Sequence, residues 1–276
     1  LSYILILGVG LSCYYNKRGK KNFCIFSGCI YFLLAALRSY KVGGDTFNYC
    51  NMFEAVGKLT IDQVLTISDK EPVFFIFLFI VRQITDNYTV LLIIVAAFFV
   101  CTIWMYIYHY SDDPVLSVII LLAFNLYQFS LTGMRQTIAM GFVVLAIMAM
   151  NQNKKVIPYL FIFIGSLFHQ SALIFLSIPL LQNYKLGKQV CRLASLILIF
   201  CFVLRQTIAG MLVGYLSDRG YGLSLSDSGI TMFLVIAFLF ALAVLFFDEY
   251  KSTDKNYHIQ YYMGWFAVFF EILVTS

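Results

Sequence analysis

Residues 133–171 read GMRQTIAMGFVVLAIMAMNQNKKVIPYLFIFIGSLFHQS, and this stretch decides the fold. It holds Arg135 near the start of an apolar run, Lys154 and Lys155 at a polar turn, and His169 in the returning apolar run. Because a helix rises about 1.5 Å per residue, Arg135 and His169 each lie roughly 20 to 30 Å from the turn, which is most of one bilayer thickness. The stretch therefore predicts a helical hairpin that carries two ionisable side chains towards the same membrane face.

The composition indicates a protein whose solvent is lipid. The chain has 276 residues, of which 61% are hydrophobic and 12% charged, with a mean hydropathy of +0.85, whereas a soluble domain has about 25% charged residues. Apolar runs recur along the whole chain and are mostly about 15 to 21 residues long, as spanning helices require. The net charge of +5 arises in short loops between these runs, so membrane topology explains it better than nucleic-acid binding does.

These runs predict an all-α fold, a polytopic integral membrane helical bundle that forms one domain over residues 1–276. We expect about 9–11 membrane segments, some of them broken or re-entrant. Residues 89–108 and 115–131 are predicted to be continuous spans. The chain begins at Leu1 rather than Met and ends within an apolar run, which leaves trimming of either end open.

The charged loops set the predicted orientation. Residues 16–22 hold four cations, and the positive-inside rule places this loop in the cytoplasm. Residues 38–71 form the longest polar segment, for which we expect a structured outer loop with an interfacial helix over residues 47–65. Simple alternation of every later run would place Arg135 inside and the lysine turn outside, against the same rule.

Two interrupted segments resolve this conflict. We predict that residues 72–87 dip into the membrane and return, and that residues 156–181 form two half-helices that turn at residues 165–169. Such breaks are tolerated where they line a polar cavity. The cytoplasmic loops are then residues 16–22, 151–155, 182–192 and 248–256, and the outer face holds residues 38–71, Arg135, His169 and residues 205–228.

The outer loop begins with RSYKVGGDTFNY, residues 38–49. Its paired glycines allow a tight turn that would bring Arg38 and Asp45 towards one spot. A guanidinium suits a phosphate because it donates two parallel hydrogen bonds, and an external carboxylate suits a general base that deprotonates a sugar hydroxyl. The alternative is an ordinary surface pair beside a turn. Tyr49 ends the motif and is a candidate sugar-binding residue, although tyrosines at such positions also form interfacial belts.

Arg135 and His169 are ionisable residues in apolar runs, and such residues usually face a cavity or a partner. Arg135 with Gln136 could anchor an anionic headgroup, or Arg135 could snorkel to the interface. His169 could be a base, a phosphate donor or a hydrogen-bonded core histidine. Glu71, directly before Pro72, is the acidic residue of the outer loop best placed to overhang a cavity.

Two further arginines are predicted on the outer face. Arg205 and Arg219 lie in the second polar loop, and we regard them as candidate phosphate ligands. The sequence has no glycine-rich nucleotide loop, no paired-acid metal motif in an outer loop and no nucleophile elbow, and its cysteines lack metal-binding spacing. We therefore expect no metal, no cofactor, and a donor carried on an activated lipid rather than on a cytoplasmic nucleotide.

Four short motifs occur in order: Arg38 with Gly44-Asp45 and Tyr49, then Glu71-Pro72, then GMRQTIA at residues 133–139, then FHQSAL at residues 168–173. Together they resemble the EpsG family of Wzy-like polysaccharide polymerases over residues 30–180. The resemblance implies a multi-pass protein of the bacterial cytoplasmic membrane that joins oligosaccharide repeats carried on undecaprenyl diphosphate, for an O-antigen, capsule or exopolysaccharide. Its expected partners are that lipid-linked oligosaccharide, the bilayer, and flippase and chain-length regulator proteins, with no nucleic acid.

The reaction predicted from these residues is glycosyl transfer at the outer face, without a nucleotide or a metal. Arginines 38, 135 and 205 would hold the diphosphate leaving group. Asp45 or His169 would take the proton from the acceptor hydroxyl, and Glu71 is a third catalytic candidate. The alternative function is a transporter or flippase for the same lipid-linked oligosaccharide, which should show repeat symmetry between its halves. The sequence contains no convincing inverted repeat.

Overall fold

A computed structural model describes residues 17–67, 71–123 and 126–181 of the chain. The α-helices in chain order are α1 (Lys17–Ala36), α2 (Thr46–Val56), α3 (Ile61–Thr66), α4 (Pro72–Ile84), α5 (Tyr88–Tyr110), α6 (Pro114–Ala123), α7 (Leu126–Thr132), α8 (Met134–Asn151) and α9 (Ile157–Phe168), followed by a 3-10 helix (Gln170–Leu176) and α10 (Ser177–Leu181). The described residues contain no strand, which agrees with the predicted all-α fold.

Two units divide the chain, Leu1–Leu176 and Ser177–Ser276. The second unit is described only over α10, so the packing discussed below belongs to the first. The predicted single domain extends beyond the described residues and stays a prediction. The spans and loops predicted beyond residue 181, and the span predicted before residue 16, lie outside the described residues.

Two of the described helices are long and apolar enough to cross a membrane. They are α5, with 23 residues, and α8, with 18 residues. A third candidate is the pair formed by α6 and α7, whose axes differ by 53°. The described part of the chain therefore has two or three candidate spans, and the count of 9–11 segments stays a prediction.

The bend between α6 and α7 corrects the prediction of one continuous span over residues 115–131. Hydropathy alone cannot report a bend, because it averages over the polar residues within the run. In α7 the Ser130 hydroxyl donates to the Tyr127 carbonyl at 2.6 Å, and the Thr132 hydroxyl donates to the Gln128 carbonyl at 3.4 Å. Both bonds lie within α7, whereas the break falls at residues 124–125, outside the described residues.

Helices α1 and α5 pack closely because small residues of α1 face an aromatic ring of α5. The Trp104 indole N–H donates to Ser27 Oγ at 2.8 Å, and a Cβ at Gly28 would lie 3.1 Å from the Trp104 ring. Tyr31 continues this contact, with its ring centroid 5.2 Å from that of Trp104. Because α1 already begins at Lys17, most of the cationic segment 16–22 is helical rather than a loop.

One end of the first unit is marked by contacts between the last turns of α5 and α8 and the start of α1. Lys20 Nζ donates to the Ser111 carbonyl at 2.6 Å. The Tyr110 hydroxyl donates to the Met148 carbonyl at 3.4 Å. The cationic segment of α1, the connection after α5 and the end of α8 therefore lie together, as the predicted orientation requires of its cytoplasmic side.

The opposite end is marked by the start of α2. The Thr46 hydroxyl donates to the Val42 carbonyl at 2.7 Å and lies 3.1 Å from the Leu131 carbonyl. The Tyr88 hydroxyl, at the start of α5, donates to the Thr46 carbonyl at 3.3 Å. The chain is therefore beside Thr46 both before and after α4, which has only 13 residues. One helix therefore covers most of residues 72–87 and is shorter than a crossing requires, while the predicted dip into the membrane and return stays a prediction.

The outer loop is structured, but it holds two helices rather than the one predicted over residues 47–65. Helix α2 ends at Val56, and α3 begins after a new N-terminal cap at Thr60. The Gln63 side chain accepts from the Thr60 backbone N–H at 2.9 Å, and the Thr60 hydroxyl accepts from the Gln63 N–H at 3.4 Å. This reciprocal cap stabilises a helix start and explains why the segment divides.

The chain reverses direction at His169. Helix α9 ends at Phe168, and His169 is extended, with φ −155° and ψ 119°. A Cβ at Gly165 would lie 3.6 Å from the Ala172 Cβ, whereas residues seven apart in a continuous helix are separated by about 10 Å along the axis. The predicted break at residues 165–169 is therefore present, although the returning segment is a 3-10 helix rather than an α-helix.

Candidate functional site

A buried carboxylate joins three elements of the fold. Glu71, which is 7% exposed, places Oε2 2.5 Å from Arg135 Nη1 and Oε1 2.6 Å from His169 Nδ1. Its partners are 64 and 98 residues away along the chain. The structure thus brings together three residues that the sequence analysis proposed separately.

Each of the three side chains lies at a helix end, where the backbone geometry fixes its position. Glu71 directly precedes α4, which begins with Pro72, a residue suited to the first position of a helix. Arg135 lies in the first turn of α8, after Gly133. His169 follows the last residue of α9. These ends meet because α8 and α9 are antiparallel neighbours, with Gly165 packed against Phe142 and Ala139.

Two aromatic rings flank the Arg135 guanidinium. Its Cζ lies 5.9 Å from the centroid of the Tyr49 ring and 5.8 Å from that of Phe74. The two rings also contact each other edge to face, with centroids 5.5 Å apart. Tyr49 is only 3% exposed, so it contacts Arg135 within the protein instead of presenting an open sugar platform. This corrects its predicted role as a direct sugar ligand.

Phe74 is the residue of this site that the sequence analysis missed. It is fully buried, and in the sequence it is one of many phenylalanines in an apolar run. The only available signal is its spacing, because Phe74 follows Glu71 by three residues and therefore lies about one helical turn further along. That spacing does not distinguish Phe74 from a core residue.

The charge of Glu71 determines which ring nitrogen of His169 can accept a proton. Burying a carboxylate is costly unless it is paired and hydrogen-bonded, and Glu71 meets both conditions through Arg135 and His169. An ionised carboxylate only accepts hydrogen bonds, so Nδ1 of His169 is the donor to Glu71, and in a neutral imidazole the lone pair then lies on Nε2. The side chains of Arg135 and His169 are 31% and 25% exposed, so both reach the edge of the packed region.

Arg38 and Asp45 form no ion pair with each other, contrary to the expectation that the glycine turn brings them together. Gly43 has φ +93°, and a Cβ there would lie 2.2 Å from the Leu131 carbonyl oxygen. This turn packs the loop against the end of α7 and leaves Asp45 exposed at the start of α2. Arg38 Nη1 instead donates to the Ala35 carbonyl at 2.7 Å.

Arg38 is a half-buried cation, and no ion pair with a described carboxylate occupies it. Burial lowers the pKa of its guanidinium below the ordinary value, while the neighbouring Tyr88 and Tyr127 act in the opposite direction. A partly desolvated cation of this kind is stabilised by an anion. Arg38 forms no ion pair with Glu71, and its guanidinium is suited to bind a phosphate.

The other predicted site residues take different positions. Gln136 lies in the first turn of α8 with its amide against Gly133, and its buried Oε1 has no hydrogen-bond partner among the described residues. Arg205 and Arg219 lie outside the described residues. Within residues 17–67, 71–123 and 126–181, no group of three or more His, Cys, Asp or Glu side chains is arranged to hold a metal ion. The expected absence of metal and cofactor stays a prediction.

Comparison with known proteins agrees with the motifs. A search of curated proteins and a search of solved structures gave no match. The profile of one protein family, described as the EpsG family, matches residues 21–276, which is nearly the whole chain and extends well beyond the motifs quoted above. The resemblance inferred from residues 30–180 is thereby confirmed, and the chain belongs to the EpsG family.

Proposed function

We propose that this protein is a membrane polysaccharide polymerase. Its family membership and apolar helices indicate a polymerase-like membrane protein of exopolysaccharide synthesis. The proposed reaction joins undecaprenyl-diphosphate-linked oligosaccharide repeats at the outer face of the bacterial cytoplasmic membrane. The observation that carries this proposal is the buried Glu71 carboxylate between Arg135 and His169.

In this reaction His169 is the general base. The hydroxyl oxygen of the acceptor sugar forms a bond to the anomeric carbon of the donor, and His169 Nε2 takes the hydroxyl proton. Glu71 fixes the imidazole through Nδ1 and stabilises the imidazolium that forms. Asp45 is a weaker candidate because it is exposed and makes no ion pair with His169. Geometry therefore favours His169, with Glu71 as the residue that orients it.

The leaving group of the reaction is undecaprenyl diphosphate, which departs with the electron pair of the broken bond between the anomeric carbon and the phosphate oxygen. Arg135 contacts Glu71 through Nη1, so its other N–H groups are the candidates for a diphosphate oxygen. Arg38 supplies a second cation. Preorganised cations in a site poor in water stabilise charge that grows in the transition state.

The proposed partners of the polymerase lie in or beside the membrane. The bilayer holds the donor and acceptor lipids, flippase proteins supply the repeat units at the outer face, and chain-length regulators control termination. Arg205 and Arg219 remain proposed phosphate ligands. In this proposal the transfer needs no nucleotide and no metal ion.

The test in cells is deletion of the gene followed by electrophoresis of the surface polysaccharide. Single repeat units in place of a ladder would support the polymerase, and restoration of the ladder by the wild-type chain but not by His169→Gln would support the assigned base. Accumulation of lipid-linked units on the cytoplasmic side would instead support a flippase. An unchanged ladder in the deletion strain would contradict both functions.

A further inference from the structure

The contacts around Arg135 suggest a role for the two rings beside it. A guanidinium has five N–H donors on a long side chain with several rotatable bonds. Here one donor is fixed by Glu71, and the guanidinium carbon is within 6 Å of both the Tyr49 and the Phe74 ring centroids. Cation–π attraction at such distances is stronger where water is excluded, and both rings are buried.

The two rings come from parts of the fold that also carry the site. Phe74 lies in the first turn of α4, next to the Glu71 end of that helix, and Tyr49 lies in α2 of the outer loop. Their edge-to-face contact gives each ring a fixed neighbour. An ion pair with Glu71 alone would leave the guanidinium free to pivot about one hydrogen bond, whereas two rings restrict that pivot.

We infer that Tyr49 and Phe74 form an aromatic clamp that positions the free N–H groups of Arg135 for the diphosphate of a lipid-linked donor. This inference rests on the proposed function, since it assigns the diphosphate to Arg135. The rings are positioning residues, because they act through Arg135 and do not contact the donor. In this inference Phe74 positions Arg135, a role that cannot be recognised from its place in an apolar run.

The test measures binding of undecaprenyl diphosphate to the full chain in lipid nanodiscs. Phe74→Leu should weaken binding about 5- to 30-fold, the range expected for loss of a desolvated cation–π contact. Phe74→Tyr, which keeps the ring, should stay within about twofold of the wild type. In an Arg135→Ala background, Phe74→Leu should cause no further loss, because a double-mutant cycle isolates effects that pass through Arg135.

Phe53→Leu is the matched control, since Phe53 is a fully buried ring of the same hydrophobic cluster that packs on Tyr88 and Arg82. It should leave undecaprenyl diphosphate affinity unchanged in both backgrounds. Equal losses from Phe74→Leu with and without Arg135 would overturn the clamp and indicate a general packing role.

The proposed function and the clamp fail in different ways. Undecaprenyl diphosphate that does not bind the wild type would contradict both. Binding to the wild type that Phe74→Leu leaves intact would overturn the clamp alone. If Phe74→Leu does not yield folded protein, Tyr49→Leu tests the other ring, with Tyr49→Phe as the control that removes the hydroxyl beside Arg135 and keeps the ring. A loss with Tyr49→Leu beyond that with Tyr49→Phe, absent in the Arg135→Ala background, would support the clamp, and equal effects would overturn it.

Discussion

At the scale of single residues, Glu71 explains why two ionisable side chains are tolerated beside apolar helices. Arg135 donates to its Oε2, and His169 Nδ1 bonds to its Oε1. The negative charge of Glu71 balances the positive charge of Arg135, so a neutral His169 leaves the cluster with no net charge. When His169 takes a proton, the same carboxylate stabilises the imidazolium that forms.

Glu71→Gln tests whether the negative charge of Glu71 supports Arg135 and His169. The amide keeps the shape of the side chain but removes the charge, so we expect glycosyl transfer to fall about 100- to 10,000-fold, as for loss of general-base catalysis. The free energy of unfolding should fall by about 1–3 kcal/mol, because Arg135 and His169 lose a charged acceptor. Transfer rates and thermal unfolding of the purified variant measure the two effects.

Glu54→Gln is the control for that change, since Glu54 is an exposed carboxylate of α2. It should alter neither the rate nor the unfolding temperature. A Glu71→Gln variant with an ordinary transfer rate would show that the carboxylate does not orient the base.

At the scale of elements, two backbone features place the site. The turn at Gly43 ties the outer loop to the end of α7, and the reversal at His169 brings the histidine to the Arg135 end of α8. The turn at Gly43 contains no proposed catalytic side chain, and the reversal can be tested at Gly165 and Ala172 instead of at His169. Each can therefore be tested without touching the proposed chemistry.

The turn is tested by comparing two neighbouring glycines. Gly43→Ala should lower the free energy of unfolding by at least about 1 kcal/mol, because Gly43 has φ +93° and the new Cβ would overlap the Leu131 carbonyl. Gly44→Ala should have a smaller effect, since its Cβ would meet only the Thr132 methyl, at 3.3 Å. Equal unfolding temperatures for the two variants would argue against the turn described here.

The reversal is tested by a disulfide in a chain from which the native cysteines have been removed. Gly165→Cys with Ala172→Cys should cross-link on oxidation, because the two Cβ positions are 3.6 Å apart, within the range of about 3.5–4.5 Å that disulfides require. Protection from a maleimide-polyethylene glycol gel shift reports the bond. Each single-cysteine variant should stay reactive after oxidation. A double variant that also stays reactive would indicate a continuous helix through His169.

At the scale of the whole molecule, the sequence was sufficient to select the three ionisable residues that meet, but not to predict how they pair. An arginine, a histidine and a glutamate beside apolar runs are conspicuous, because each is costly in lipid without a partner. Their pairing was not predictable, since the contact between Glu71 and His169 spans 98 residues. Arg38 and Asp45 form no ion pair, since proximity in sequence does not report the direction in which Gly43 turns the chain.

The fold, too, was predictable from the sequence only in part. Charges and apolar runs predicted helices, the short segment over residues 72–87 and the break near His169, all of which depend on local composition. The separation of α2 from α3 depends on the helix cap at Thr60, which hydropathy does not record, and hydropathy likewise does not report the bend between α6 and α7. Phe74 was missed because only its contact with Arg135 distinguishes it from a core residue.

The predicted orientation of the whole molecule can be tested by cysteine labelling in intact cells. Gln170 and Gln152 are exposed residues at opposite ends of the hairpin formed by α8 and α9. In a cysteine-free background, Gln170→Cys should react with a membrane-impermeant maleimide added outside, and Gln152→Cys should react only after the cells are permeabilised. Reaction of Gln152→Cys in sealed cells would show that the predicted orientation is wrong.

The most direct test of the central claim measures glycosyl transfer by the purified chain in nanodiscs supplied with undecaprenyl-diphosphate-linked repeat units. The wild type should lengthen the oligosaccharide and release one undecaprenyl diphosphate for each new linkage. His169→Gln should still bind undecaprenyl diphosphate but should form no longer chains. Longer chains from His169→Gln at the wild-type rate, or no lengthening by the wild type, would contradict the account.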